Sequence, residues 1–297
     1  MKPDRLQARP VDLNAPPGLA GQASVLEGWA VAPCEGALHS FARSGCESAS
    51  ESRTSFSNHA IEILAARLDV ESEVIPELLP LLDNAERDRA SRFVFERDRF
   101  RFIVGRARLR QALSARLNVR PEAVQLVCGK RGKPALARPF ASSNLQFNVS
   151  HSGDLAVYAF AYGHQIGVDV EAVRMLGDAD GIAARFFSPR ENEAYLALDA
   201  ADRPLGFFNC WTRKEAFIKA LGDGLYHPLD SFDVSLAPAE SASILRIGDI
   251  LGDQCGWRLY SFVPLSGYVG AIVIESPVRQ VDSSISLPPS DCLTAVS

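Results

Sequence analysis

Two carboxylates two residues apart, in Ile166-Gly-Val-Asp-Val-Glu171, are the first residues in this sequence whose spacing can do chemistry. Side chains alternate along a strand, so Val168 and Val170 share one face and Asp169 and Glu171 the other. Neighbouring carboxylates at the end of an apolar strand repel, and one is driven towards protonation unless a cation lies between them. An all-oxygen pair suits Mg²⁺, which takes one or two carboxylates and completes its octahedron with water and substrate phosphate. An ordinary strand with its polar face in water is the competing reading of the same segment.

A third carboxylate lies further along. On a helix, Phe207, Trp211 and Ile218 share one apolar face, and Glu215 falls on that face too. Burying an unpaired carboxylate is costly, so Glu215 calls for a lysine or a metal. Lys219, one turn on, offers a structural ion pair. The alternative is a magnesium phosphate site, which needs ligands for the ion, a base or water-orienting group, and a fixed positive charge.

Further polar groups are ambiguous by themselves. His151 lies in Ser-His-Ser and could simply cap a turn, while Asn148, Ser150 and Ser152 add short polar groups at the same strand end. The loop Gly129-Lys130-Arg131-Gly132-Lys133-Pro134 is no Walker motif, because Pro134 stands where Ser or Thr belongs. Its glycines could still bring Lys133 to a phosphate, and a basic turn is the plainer reading.

These residues need elements to hold them. Period and punctuation predict a strand IEILAARL from Ile61 and a long Arg-rich helical stretch from about Asn84 to Asn118, striped by Phe102, Leu109, Leu113 and Leu117. Strands LQFNVS and LAVYAFAY follow, with His151 and Ser152 in the turn between them. The strand IGVDVEAV opens a second half. There Ser188-Pro189-Arg190-Glu191 is a capping box, and Asp202 and Pro204 open the helix that Gly222 ends. Strands near Phe232–Ser235, Arg258–Phe262 and Val269–Glu275 complete the chain. Each half therefore reads as helices plus an antiparallel sheet, an α+β arrangement with a hint of duplication. Residues 1–58 are expected to be a disordered or variable leader and 279–297 a tail, flanking halves at 59–163 and 164–278.

Composition narrows the class. With 297 residues, 47% of them hydrophobic, the chain can bury a sizeable core, and it has no apolar run of membrane-spanning length and no secretory signal. A cytoplasmic location is the expectation. The six cysteines form no CxxC pair, which argues against a zinc knuckle or a disulfide framework. Fifteen Lys and Arg against four acidic residues between Arg87 and Arg138 make a basic stretch, about one sixth of an otherwise acidic chain, that suits a polyanion. The acidic remainder, with neither an aromatic RNA-binding signature nor a zinc finger, speaks against nucleic acid and for a small polyphosphate or an acidic protein.

Four motifs in register give a resemblance. GKP at Gly132–Pro134, FNVSHSGD at Phe147–Asp154, IGVDVE at Ile166–Glu171, and FFSPRE with WTRKEAFIKALGDGL from Phe186 to Leu225 resemble the large, monomeric phosphopantetheinyl transferases, over roughly Ile61 to Glu275. The resemblance implies two similar subdomains related by a pseudo-twofold axis, with coenzyme A in the cleft between them. It implies that Asp169, Glu171 and Glu215 hold Mg²⁺, that Lys219 lies beside the phosphates, and that Glu215 and Lys219 carry catalysis. Arg89, Lys133, Pro134, Asn148, Ser150, His151 and Arg110 are implied as contacts to coenzyme A. The expected partner is an apo acyl or peptidyl carrier protein, whose serine receives the phosphopantetheine arm. A magnesium-dependent coenzyme A phosphodiesterase or pyrophosphatase, and a non-catalytic carrier-protein binder, remain the alternatives.

Overall fold

A computed structural model describes residues 61–129, 133–222, 228–248 and 256–275. The leader at 1–58, the tail at 279–297 and Gly132 of the GKP turn lie outside the described residues. No described helix is long and apolar enough to cross a membrane.

The first half begins with strand β1 (Glu62–Arg67), followed by a helical turn α1 (Ile75–Leu78) and helices α2 (Asn84–Ala90) and α3 (Glu96–Leu117). A short ribbon of β2 (Leu126–Cys128) and β3 (Pro134–Leu136) leads to the hairpin β4 (Leu145–Ser152) and β5 (Leu155–Tyr162). The second half repeats this plan: strand β6 (Ile166–Ala172), helices α4 (Ala179–Phe186), α5 (Pro189–Leu196) and α6 (Arg203–Leu221), a ribbon of β7 (Phe232–Val234) and β8 (Ile244–Ile247), and the hairpin β9 (Trp257–Phe262) and β10 (Tyr268–Glu275). Both main sheets are antiparallel, in the orders β1-β5-β4 and β6-β10-β9. Each half thus places its first strand beside its last, and its penultimate strand outermost, which is the expected α+β duplication.

Local chemistry explains the helix boundaries. Ser188 and Glu191 exchange side-chain and backbone hydrogen bonds as a capping box, with Pro189 at the first helical position. Asp83 and Glu86 do the same at the start of α2. Gly222, at φ 75°, ends α6 in the left-handed conformation.

Two local expectations differ from what is observed. The Arg-rich stretch is two helices, broken at residues 91–95, because Phe93 stacks on Phe102 with ring centroids 5.3 Å apart. A continuous helix would hold residues nine positions apart about 13.5 Å away from each other. His151 and Ser152 are the last rungs of β4, paired with Ala156 and Leu155, and the turn is Gly153-Asp154, with Gly153 at φ 62°.

The junction is built from β4 and β6. Val168 and Val170 pack into the core formed mostly by the first half, while Phe207, Phe217 and Ile218 of α6 belong to a second core with β7 and β10.

Candidate active site

Gly167 determines how closely helix and strand approach. A Cβ there would lie 2.1 Å from the Ala216 carbonyl oxygen and 2.3 Å from the Ala220 nitrogen, so only glycine lets α6 lie directly on β6. That contact brings the α6 groups Glu215 and Lys219 to Asp169 and Glu171. Lys219 Nζ lies 2.6 Å from Asp169 Oδ1 and 3.0 Å from Ser150 Oγ. The ammonium therefore pairs across elements, with the strand carboxylate, rather than with Glu215 along its own helix.

Between the halves, side chains do the work of a sheet ladder. On one edge β6 pairs with β10, and on the other its Val168, Val170 and Ala172 N–H groups donate to Asn148 Oδ1, Ser150 Oγ and Ser152 Oγ of β4, at 2.9, 3.3 and 3.1 Å. The two-residue step of one strand meets the two-residue step of the other. Each serine then donates onwards: Ser150 to Asp169 Oδ1 at 2.6 Å, and Ser152 to Glu171 Oε2 at 2.5 Å. Ser150 Oγ accepts from both Val170 and Lys219, so its single proton is committed to Asp169. Asn148 and Ser150, expected at coenzyme A, act on β6 in this structure.

The electrostatics are those of carboxylates in want of a cation. Burial pushes the Glu171 carboxyl up to about 8, and Asp169 beside it adds to the rise. Burial also lifts Glu215 to about 7, against the pull of Lys219 and with Asp169 adding to the lift. Burial opposes the charge on Lys219, but Asp169 and Glu215 outweigh it and hold the ammonium above the usual lysine range. Asp169 Oδ2 and Glu215 Oε1 are buried without a hydrogen-bond partner. An unsatisfied buried oxygen costs about 1–3 kcal/mol, more when charged.

The other expected residues divide. Lys133 Nζ donates to the Lys219 carbonyl at 2.7 Å and the Ile166 carbonyl at 3.1 Å, which ties the GKP turn to the end of α6 and the start of β6. Burial, and Lys219 nearby, bring its ammonium down to about 8. Pro134 is the first residue of β3, half-buried and paired with Cys128. His151 is partly exposed between Ser150 and Ser152, on the opposite face of β4. Arg89 stacks over the Phe102 ring at 5.1 Å. Arg110 is a correction: it is fully buried, bonded to Asp83 and Glu86 at 2.7 Å each and to the Val124 carbonyl at 2.7 Å, so it braces the helical layer and leaves no exposed guanidinium for coenzyme A.

Sequence reasoning passed over two basic residues of the WTRKEAF segment. Lys214 is buried against Glu191 at 2.7 Å and the Leu229 and Phe232 carbonyls, and Arg213 bonds Ser235 and Ser261. They fix α6 to the β7–β8 ribbon and to β9. It also gave no role to Ser152, although a small polar residue at every second position of β4 matches the period of the carboxylates on β6.

Among the described residues no three His, Cys, Asp or Glu side chains converge into a finished metal cage. The donor chemistry nevertheless fits Mg²⁺: the oxygens are all carboxylate, two of them are orphaned, and two carboxyls are raised by burial with the Asp169 charge adding.

Residues 165–273 match the family described as 4′-phosphopantetheinyl transferase superfamily, and residues 71–162 that described as 4′-phosphopantetheinyl transferase, N-terminal. The chain is 39% identical over 207 residues to the 4′-phosphopantetheinyl transferase HetI of a Nostoc species, covering 70% of this chain and 84% of that protein. It is 33% identical over 159 residues to the 4′-phosphopantetheinyl transferase Sfp of Bacillus subtilis, covering 54% and 68% respectively. To the L-aminoadipate-semialdehyde dehydrogenase-phosphopantetheinyl transferase of Mus musculus it is 30% identical over 178 residues, covering 57% and 56%.

Proposed function

Because this chain belongs to the 4′-phosphopantetheinyl transferase superfamily, we propose that it moves the 4′-phosphopantetheine arm of coenzyme A onto a serine of an apo acyl or peptidyl carrier protein, with Mg²⁺, releasing adenosine 3′,5′-bisphosphate. The observation that carries the reading is Lys219, its ammonium on Asp169 Oδ1, in the same cluster as two buried, partnerless carboxylate oxygens, Asp169 Oδ2 and Glu215 Oε1. A phosphate site needs such a fixed cation beside carboxylates able to take a metal, and this supports the reading.

Asp169, Glu171 and Glu215 are the residues that would hold Mg²⁺. The chemistry such an ion supplies is neutralisation of the charge that grows on the pyrophosphate. The carrier serine Oγ bonds to the phosphorus that bears pantetheine, and the bond from that phosphorus to the bridging oxygen of the nucleotide breaks. Glu215, raised to about 7 by burial, takes the serine proton near neutral pH. Lys219 stabilises the departing phosphate. Arg89, Lys133, Pro134 and His151 form the nucleotide side; Lys133 has two donors on carbonyls and a third left for phosphate. Arg110 has no part in it.

Intact-mass spectrometry of several apo carrier proteins, incubated with the protein, coenzyme A and Mg²⁺, tests the reading. The expected result is a mass gain of one phosphopantetheine arm on at least one carrier. Release of phosphopantetheine from coenzyme A without any carrier would make the protein a hydrolase instead, and carrier binding without mass gain would make it a binder. We further propose that the protein works as a monomer in the cytoplasm.

A further inference from the structure

We propose that Ser152, on the last rung of β4, is a positioning residue for Glu171, so that a hydroxyl of the first half sets how a carboxylate of the second half presents itself to a divalent cation. The inference rests on the metal reading of Glu171 given above.

A serine hydroxyl has one proton and two lone pairs. Ser152 Oγ accepts from the Ala172 N–H at 3.1 Å, and its proton is directed to Glu171 Oε2 at 2.5 Å. Ser152 is 3% exposed and Glu171 6%, so bulk water does not compete for that proton. Arg174, a charged neighbour of the same oxygen, stands off at 3.7 Å.

The backbone carrying the hydroxyl is pinned as well. Two residues after Ser152, Asp154 receives the Tyr268 hydroxyl at 2.8 Å, forms an ion pair with Arg67, and accepts the Leu68 N–H through its carbonyl. Tyr268 is the cross-strand partner of Ala172, the residue whose N–H meets Ser152. A Cβ at Gly153 would sit 2.9 Å from the Tyr268 hydroxyl oxygen, so glycine is what lets this corner close. Ser152 is therefore held from β5, β6 and β10 at once and cannot follow the carboxylate if it turns. Partners of this kind fix the orientation of a ligating group, and their loss costs about 10–100-fold in metal affinity.

The competing role is mechanical, with Ser152 merely closing the seam to Ala172. Mn²⁺ binding to the full chain, read from the spin-resonance signal of the free ion, separates the two. The proteins compared are the wild type, Glu171→Gln, Ser152→Ala and the isosteric pair Ser152→Thr and Ser152→Val. The apparent KM for Mg²⁺, kcat at saturating Mg²⁺ and the thermal midpoint in chelator accompany each. The expected result is Mn²⁺ binding weakened by about tenfold or more in Ser152→Ala and Ser152→Val and close to wild type in Ser152→Thr. The KM for Mg²⁺ should rise in the same order while kcat at saturating Mg²⁺ changes little. If Ser152→Ala does not fold, the Thr and Val variants decide, since they differ by a hydroxyl against a methyl. Equal Mn²⁺ affinity in those two, with Glu171→Gln weakened, overturns the role of Ser152 alone. Wild-type affinity in Glu171→Gln overturns the metal reading of Glu171, and the inference with it.

Discussion

Glu215 is the residue on which burial and the proposed base catalysis make opposite demands. Glu215→Gln keeps the shape and removes the charge, so kcat is expected to fall by about 10²-fold or more, the usual scale for a lost general base. The metal-free midpoint should hold or rise, because a buried, partnerless oxygen stops being charged. A raised carboxyl means that the folded chain binds the extra proton, so the stability it contributes is complete below the unfolded value of 4.5 and is lost as pH climbs through about 7. Midpoints measured in chelator across that window should therefore decline less steeply in Glu215→Gln than in the wild type. Lys133 shifts the other way: its charge is lost as pH rises through about 8. The KM for coenzyme A should climb through that pH, more than the KM for dephosphorylated coenzyme A, and Lys133→Ala should flatten both profiles. Asp169, Glu171, Glu215 and Lys219 were legible because strand and helix periods alone put them on defined faces. The committed protons of Ser150 and Ser152 were not, since their partners lie nineteen and twenty residues away along the chain. Arg110 misled for a related reason: an arginine on a basic helix looks solvent-facing until Asp83 and Glu86 fold over it.

At the level of elements, the site is a strand with a helix laid flat on it, and Gly167 is the spacer. Gly167→Ala forces β6 and α6 apart against main-chain atoms, which cannot rotate away as a flexible side chain could. Overpacking of this kind costs about 1–3 kcal/mol, so the midpoint should drop. More tellingly, kcat should fall further than stability explains, because Glu215 and Lys219 move away from Asp169 and Glu171 together. Thermal melts and steady-state kinetics on one preparation check both parts. The long helix α6 could be read from its apolar stripe, its proline and its terminal glycine. By contrast β2, β3 and β8 have only three or four residues each, too short for alternation to declare itself. The break between α2 and α3 was hidden because a tertiary contact, Phe93 on Phe102, overrides a helical pattern.

For the whole molecule, the proposed Mg²⁺ would compete with protons for the same carboxyls. Glu171 at about 8 and Glu215 at about 7 must lose their protons to ligate, so Mg²⁺ should raise the thermal midpoint more above neutrality than at mildly acidic pH. Excess chelator should stop turnover, and Asp169→Ala should remove most of it while the fold persists. Full activity in chelator would remove the metal from the mechanism. The two halves share one plan of strands and helices, yet they are not interchangeable modules, because Asn148, Ser150 and Ser152 meet Val168, Val170 and Ala172 in a single phase. That phase is a rule for recombination. A chimera crossing from this chain to a relative in the link between β5 and β6 inherits a working site only if the donor strand arrives in step. A shift of one residue would turn its two carboxylates to the wrong side, and a shift of two would hand one serine the other's partner and leave the other without its own, so such crossovers should survive in lineages where the lengths on both sides of the seam were kept.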